Sequence, residues 1–130
     1  MAGELILIVE DNEKNLKLVR DLLQVKGYRT LEAGTAELGV ELARHHTPHL
    51  VLMDIQLPGM DGVAALGQLR ADPSTAPTPV VALTAFAMPA DRQHLLSAGF
   101  DGYLVKPINI RELLDLVHAC CARHGAPPPR

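Results

Sequence analysis

The sequence predicts a single α/β domain, a five-stranded parallel sheet with helices on both faces. Three observations carry the prediction. Five short aliphatic runs alternate with five segments of helical spacing or helix-capping character over 130 residues. A continuous apolar run bounded by turn residues reads as a strand buried on both faces, and strand–helix alternation reads as a parallel sheet. Four of the five runs also end in a charged or hydroxyl-bearing residue, and open α/β sheets build their sites at the carboxyl ends of strands.

The first strand is Leu5-Ile6-Leu7-Ile8-Val9, ending at Glu10-Asp11-Asn12. The first helix places Leu16, Val19, Leu22 and Leu23 on one face among Lys14, Lys17, Arg20 and Asp21, and Gly27 closes it. Residues 28–33 form a weaker, more polar strand that suits a sheet edge, and Gly34-Thr35 breaks the chain before a second helix. That helix carries Leu38, Leu42 and Ala43 and is expected to end near His45, leaving His45-His46-Thr47-Pro48-His49 as a loop. Its three histidines have no carboxylate or cysteine pattern beside them, so a solvated loop is preferred to a metal site.

The third strand, Leu50-Val51-Leu52-Met53, runs into Asp54 and then into Ile55-Gln56-Leu57-Pro58-Gly59-Met60-Asp61-Gly62. On this stretch alone Asp54 reads either as the cap of a turn or as a site residue. A third helix from about Asp61 to Arg70 presents Val63, Leu66 and Leu69, and the proline-rich 72–79 segment cannot be helix or strand interior. Val80-Val81-Ala82-Leu83 is the fourth strand, ending at Thr84-Ala85. The fourth helix starts near Pro89, tolerated in a first turn, and is closed by Gly99. The fifth strand, Gly102-Tyr103-Leu104-Val105, ends at Lys106-Pro107. Asn109 and Glu112 have capping-box spacing ahead of a last helix bearing Leu113, Leu114 and Val117. The expected domain covers 1–124, and 125–130 should be an extended tail.

Composition narrows the function. Hydrophobic residues are 48%, aromatics only 3% and Trp absent, so aliphatic side chains must fill the core and base-stacking platforms are not expected. A net charge of −3 gives no electrostatic footprint for nucleic acid or an anionic membrane. No apolar run approaches the roughly 20 residues that span a bilayer, and Met1-Ala2-Gly3-Glu4 has no basic segment ahead of an apolar core, so a cytoplasmic location is expected. Cys120 and Cys121 are adjacent on a helix and diverge by about 100°, a poor geometry for a structural disulfide.

In the order 2-1-3-4-5, one of the common doubly wound arrangements, the first, third, fourth and fifth strands are contiguous. Glu10, Asp11, Asp54, Thr84 and Lys106 then fall in one crevice, and the strand with no chemical terminus is the edge. Three carboxylates against one ammonium leave the crevice negative, and an all-oxygen ligand set selects Mg²⁺ or Mn²⁺. A flavin-binding protein of this fold needs phosphate donors after the first strand, where this chain has Glu10-Asp11. With a cation between the carboxylates the logic reverses: phosphoryl oxygens are drawn in, Asp54 stands as an in-line nucleophile, and Lys106 and the Thr84 hydroxyl can hold two of those oxygens.

Glu10-Asp11, Asp54 with residues 57–62, Thr84-Ala85 and Lys106-Pro107 together resemble the receiver domain of two-component response regulators, over residues 5–122. Residues 8–12 and 82–88 look most like single-domain members that act in cell-cycle phosphorelays. The resemblance implies the flavodoxin-like receiver fold. It also implies that Asp54 accepts a phosphoryl group from the phosphohistidine of a sensor histidine kinase or histidine phosphotransfer protein. Asp11 and Asp54 would bind Mg²⁺ directly, Glu10 through water, and Gln56 by its backbone carbonyl, brought round by the Pro58-Gly59 turn. Lys106 would pair with the phosphoryl group, and its peptide with Pro107 would be cis.

The family further implies a switch. Phosphorylation adds roughly −1.5 to −2 charge and three acceptor oxygens; Thr84 is drawn inward, and Tyr103, the aromatic switch, follows. The face made by the fourth helix, fifth strand and fifth helix would then bind a downstream protein target, with weak homodimerisation on phosphorylation a further option. An ordinary strand tyrosine is the plainer reading of Tyr103. Two features depart from the commonest pattern: a Glu-Asp pair opens the site, and the bulky apolar Phe86 should exclude water, so self-dephosphorylation should be slow.

A stand-alone, non-enzymatic phosphoacceptor is the first functional expectation. An aspartyl-phosphate phosphatase of the haloacid dehalogenase type would want an acid two residues after the nucleophile, where this chain has Gln56. A receiver cut from a hybrid kinase or larger regulator is the alternative.

Overall fold

A computed structural model describes residues 3–57, 59–85 and 88–121. The expectations for Pro58, for Phe86 and for the 125–130 tail lie outside them, as does the end of the domain at 124. Within them the elements run β1 (Leu5–Val9), α1 (Glu13–Val25), β2 (Arg29–Ala33), α2 (Ala36–His46), β3 (Leu50–Asp54), α3 (Gly62–Ala71), β4 (Val80–Thr84), α4 (Pro89–Ala98), β5 (Gly102–Val105) and α5 (Ile110–Cys120). The sheet is wholly parallel in the order β2-β1-β3-β4-β5. The predicted fold class and strand order therefore stand.

The period-two alternation of each strand builds two separate cores. Leu7, Val9, Val51, Met53, Val80 and Ala82 face α2, α3 and α4, where they meet Val40, Ala43, Leu66, Leu69 and Leu95. Ile6, Ile8, Leu50, Leu52, Val81 and Leu83 face α1 and α5, where they meet Val19, Leu23, Leu113 and Val117. β3 and β4 are buried at every position, as central strands should be, whereas β2 exposes Arg29 and Glu32 at its edge.

Polar side chains fix the helix starts. Asn12 accepts from the Lys14 and Asn15 amides, Thr35 from Leu38, Asp61 from Ala64 and Asn109 from Glu112, each satisfying donors that a helix N-terminus leaves open. Asp61 is thus the cap of α3 and not its first residue. Gly27 and Gly99 take left-handed φ values of 92° and 112° where α1 and α4 end.

Two further boundaries differ from expectation. Tyr28 is not in β2: its amide bonds back to the Leu23 carbonyl at 3.1 Å, and its ring packs in the α1–α5 core. α2 takes in His46 and ends at a left-handed Thr47 whose amide reaches the Ala43 carbonyl. Of the three histidines, His49 has a structural task, its Nδ1 accepting from the Leu5 amide at 3.0 Å at the start of β1. Cys120 and Cys121 are both buried in the core between α1, α5 and the sheet, and burial pushes the Cys121 thiol up to about 11. High pKa and burial make it an inert thiol.

Arg70, read from sequence only as the end of a helix, organises the proline-rich segment. Its guanidinium donates to the carbonyls of Ala76 (3.0 Å), Thr78 (2.6 Å) and Gly99 (3.1 Å) and to Asp101 Oδ2 (2.8 Å). Asp101 Oδ2 also accepts from the Val80 amide at 2.8 Å, so one fork of donors ties the end of α3 to the starts of β4 and β5.

Candidate functional site

Parallel pairing carries five side chains to one edge of the sheet. Val9 stands in register with Met53, Asp54 with Leu83, and Thr84 with Val105, so the residues at the strand exits lie side by side. Glu10 follows β1 and is 1% exposed; Asp54 ends β3 and is 4% exposed; Thr84 ends β4 and is 1% exposed. Asp11 is exposed at the rim. Lys106 follows β5, its amide bonded to the Thr84 carbonyl at 2.7 Å and its peptide with Pro107 cis.

The side chains converge. Lys106 Nζ is 2.7 Å from Asp54 Oδ2 and 3.0 Å from Glu10 Oε1. The other Asp54 oxygen accepts from the Gln56 amide at 2.9 Å, and Glu10 Oε2 accepts from the Asn12 amide at 3.2 Å. The Lys106–Glu10 approach is an ion pair by distance without good hydrogen-bond direction, so Glu10 Oε1 is buried with no donor aimed at it. Burial pushes the Glu10 carboxyl above its ordinary range, the neighbouring Asp54 adds to this, and Lys106 and the Asn12 amide pull the other way. Burial also works against the Lys106 charge, but its pairing with the Asp54 and Glu10 carboxylates outweighs it and holds the ammonium above its ordinary value.

Glu10, Asp11 and Asp54 each bring a carboxylate oxygen within 4.8 Å of the others. Three such oxygens, one of them buried with unspent acceptor capacity, fit a hard divalent cation such as Mg²⁺. This is the group of potential ligands found among the described residues, and the histidines of α2 are not part of it.

A cleft of about 270 Å³ opens beside the cluster, bordered by Gln56, Thr84 and Asp61 and by Asp91, His94 and Leu95 of α4. A second, outer cleft of about 750 Å³ lies across α4, bordered by Arg92, Tyr103, Glu112, Asp115 and Leu116. Tyr103 is therefore not in the carboxylate cluster. It is half-buried on β5, in register with Ala82, two positions short of the register that joins Thr84 to Val105.

Gly62 opens α3 directly against the exit of β3. A Cβ there would lie 2.7 Å from the Ile55 Cα and 3.0 Å from the Asp54 carbonyl oxygen. Only glycine lets the start of α3 press against the backbone that holds Asp54. Its sequence signal was the Asp61-Gly62 pair, which fixes a helix cap but says nothing of what the helix abuts.

The chain is similar to known proteins over most of its length. The profile of the response regulator receiver domain matches residues 6–118. The polar-differentiation response regulator DivK of Brucella ovis is 40% identical over 112 residues, which are 86% of this chain and 91% of that one. A putative response regulator from Chloroflexus aurantiacus superposes with a TM-score of 0.88 at 28% identity, covering 93% of this chain and 99% of its own. The receiver domain of the sensor histidine kinase PA1611 from Pseudomonas aeruginosa, solved with magnesium coordinated in its active-site cleft, gives a TM-score of 0.83 at 36% identity, covering 91% and 97%.

Proposed function

Because this chain belongs to the response regulator receiver domain family, we propose that it is a two-component signalling switch phosphorylated on Asp54. The observation that carries the reading is a nearly buried carboxylate at the end of the central strand, with Glu10 and Asp11 within cation-sharing distance and Lys106 at 2.7 Å. An Asp54 carboxylate oxygen attacks the phosphorus of a phosphohistidine on a sensor histidine kinase or histidine phosphotransfer protein. An O–P bond forms, the N–P bond breaks, and the imidazole leaves with the electron pair and takes up a proton.

Glu10, Asp11 and Asp54, with the Gln56 carbonyl, would hold Mg²⁺, which neutralises the gathering oxyanion charge. Lys106 transfers its ammonium from the Asp54 carboxylate to a phosphoryl oxygen, and the Thr84 hydroxyl donates to another. Thr84 moves toward the phosphoryl group and vacates part of the inner cleft; Tyr103 turns into the released space. The face of α4, β5 and α5 changes shape and meets a protein target. The chain then acts once per phosphorylation and turns over no small substrate.

The test is labelling by acetyl phosphate or a similar small phosphodonor with Mg²⁺. The wild-type chain takes up one phosphoryl group, and Asp54→Asn takes up none. Full labelling of that variant, or labelling that survives EDTA, would remove the assignment. A receiver that works inside a longer kinase is a second reading, favoured by the 36% identity to the PA1611 receiver. Transfer from a separate phosphotransfer protein to this chain, followed by capture of a target that ignores the unphosphorylated form, distinguishes the stand-alone role.

A further inference from the structure

Arg92 projects from α4 with its guanidinium carbon 5.6 Å from the centre of the Tyr103 ring on β5. That is within the ~6 Å at which a cation is attracted to the face of an aromatic ring. Tyr103 and Arg92 share the border of the outer cleft with Glu112 and Asp115, whereas Thr84 borders the inner one. The helix between the two clefts is lightly anchored. Leu95 is its buried residue, Met88 caps it without a side-chain hydrogen bond, and Met88 and Leu96 are exposed. Beside the burial of Leu95, the Arg92–Tyr103 contact is a further side-chain tether between this helix and the adjoining strand.

We infer that Arg92 is a positioning residue for the switch, a latch that keeps the Tyr103 ring at the outer cleft and so opposes the phosphorylated conformation. This rests on the reading of Thr84 and Tyr103 as a coupled pair. Turning the ring toward Thr84 carries it off the guanidinium, and the stacking is lost. The released guanidinium can approach Glu112 and Asp115, but pairs at an open cleft recover little in water. The latch therefore has a net bias toward the resting state. An exposed cation–π contact of ~0.5–1 kcal/mol corresponds to roughly two- to fivefold in a two-state equilibrium. By reciprocity of coupling, any ligand that favours the inward ring binds more tightly by up to that factor once the latch is removed.

The experiment titrates the full chain with beryllofluoride and Mg²⁺, a stable mimic of an aspartyl phosphoryl group, and reads the Thr84 amide and Tyr103 ring NMR signals. Arg92→Gln should bind two- to fivefold more tightly than wild type, and Arg92→Lys should stay close to wild type. In a Tyr103→Leu background, the Arg92→Gln gain should vanish, leaving only the effect of one lost positive charge. An unchanged or weakened affinity in Arg92→Gln, or the same gain in both backgrounds, overturns the latch. If the wild-type Thr84 amide responds while the Tyr103 ring does not, the coupled switch itself fails and the latch with it. A wild-type ring that moves beside an Arg92→Gln affinity that does not defeats the latch alone.

Discussion

Lys106 and Asp54, 52 residues apart in the chain, meet at 2.7 Å, and the same ammonium reaches Glu10 at 3.0 Å. The lysine is the resident counter-charge of a carboxylate pair that burial would otherwise make costly. Lys106→Met should destabilise the protein at neutral pH by about 2 kcal/mol, less than a fully buried pair would lose because the lysine side chain is 20% exposed. Urea unfolding with Mg²⁺ and with EDTA should show a larger gain from the cation in the variant than in wild type. Equal gains would mean that lysine and cation do not neutralise the same charges.

Two glycines of α3 offer an internal comparison. At Gly62 a new Cβ meets backbone at 2.7 Å, and at Gly67 it meets nothing within 4 Å. Gly62→Ala should cost about 3 kcal/mol, the upper range for overpacking, and should slow Asp54 labelling by displacing the strand exit. Gly67→Ala should stabilise by up to ~1 kcal/mol through helix propensity and leave labelling untouched. Thermal melts and labelling rates of the two variants check both halves.

Arg70 should prove one of the costlier surface-accessible residues to remove. Its contacts are three carbonyls and one carboxylate, and a lysine cannot reproduce a planar fork of donors. Arg70→Ala should lose about 2–3 kcal/mol and Arg70→Lys more than half of that, measured by denaturant unfolding. A neutral Arg70→Lys would show that charge alone holds the 72–79 segment.

Stability should decline as pH rises from about 9 toward about 11. Burial raises the Cys121 thiol to about 11 from an ordinary value near 9, with the Glu4 and Cys120 charges adding to it, and burial also raises the Tyr28 phenol. In that interval the unfolded chain has released protons that the folded chain retains, so the unfolding free energy falls with pH. The contribution is whole below pH 9 and lost above the folded-state value; for Cys121 it amounts to about 3 kcal/mol. Cys121→Ala should flatten part of the slope, and Tyr28→Phe a further part. Unfolding midpoints between pH 8 and pH 11 give the answer, and an unchanged slope in both variants would place the titrating groups elsewhere.

What the sequence determined by itself is everything that depends on local pattern. Aliphatic runs of strand length, alternating with capped helical segments, specify a parallel sheet because each run must be covered on both faces. The ends of those runs place Glu10, Asp54, Thr84 and Lys106 at one edge, since parallel strands all exit on the same side. The order in which the strands lie side by side follows a recurring arrangement of such sheets, and the structure adopts it. Tertiary structure decided what no local pattern encodes. Which Asp54 oxygen faces Lys106 and which faces the Gln56 amide depends on angles set by two separate strands, β3 and β5. That Arg70 reaches four partners, that Gly62 abuts the Asp54 carbonyl and that Arg92 lies over Tyr103 are contacts between different elements of the fold. Such contacts arise only when packing brings the chain back on itself, because a short window of sequence records a residue's own propensity and not the identity of its neighbour in space.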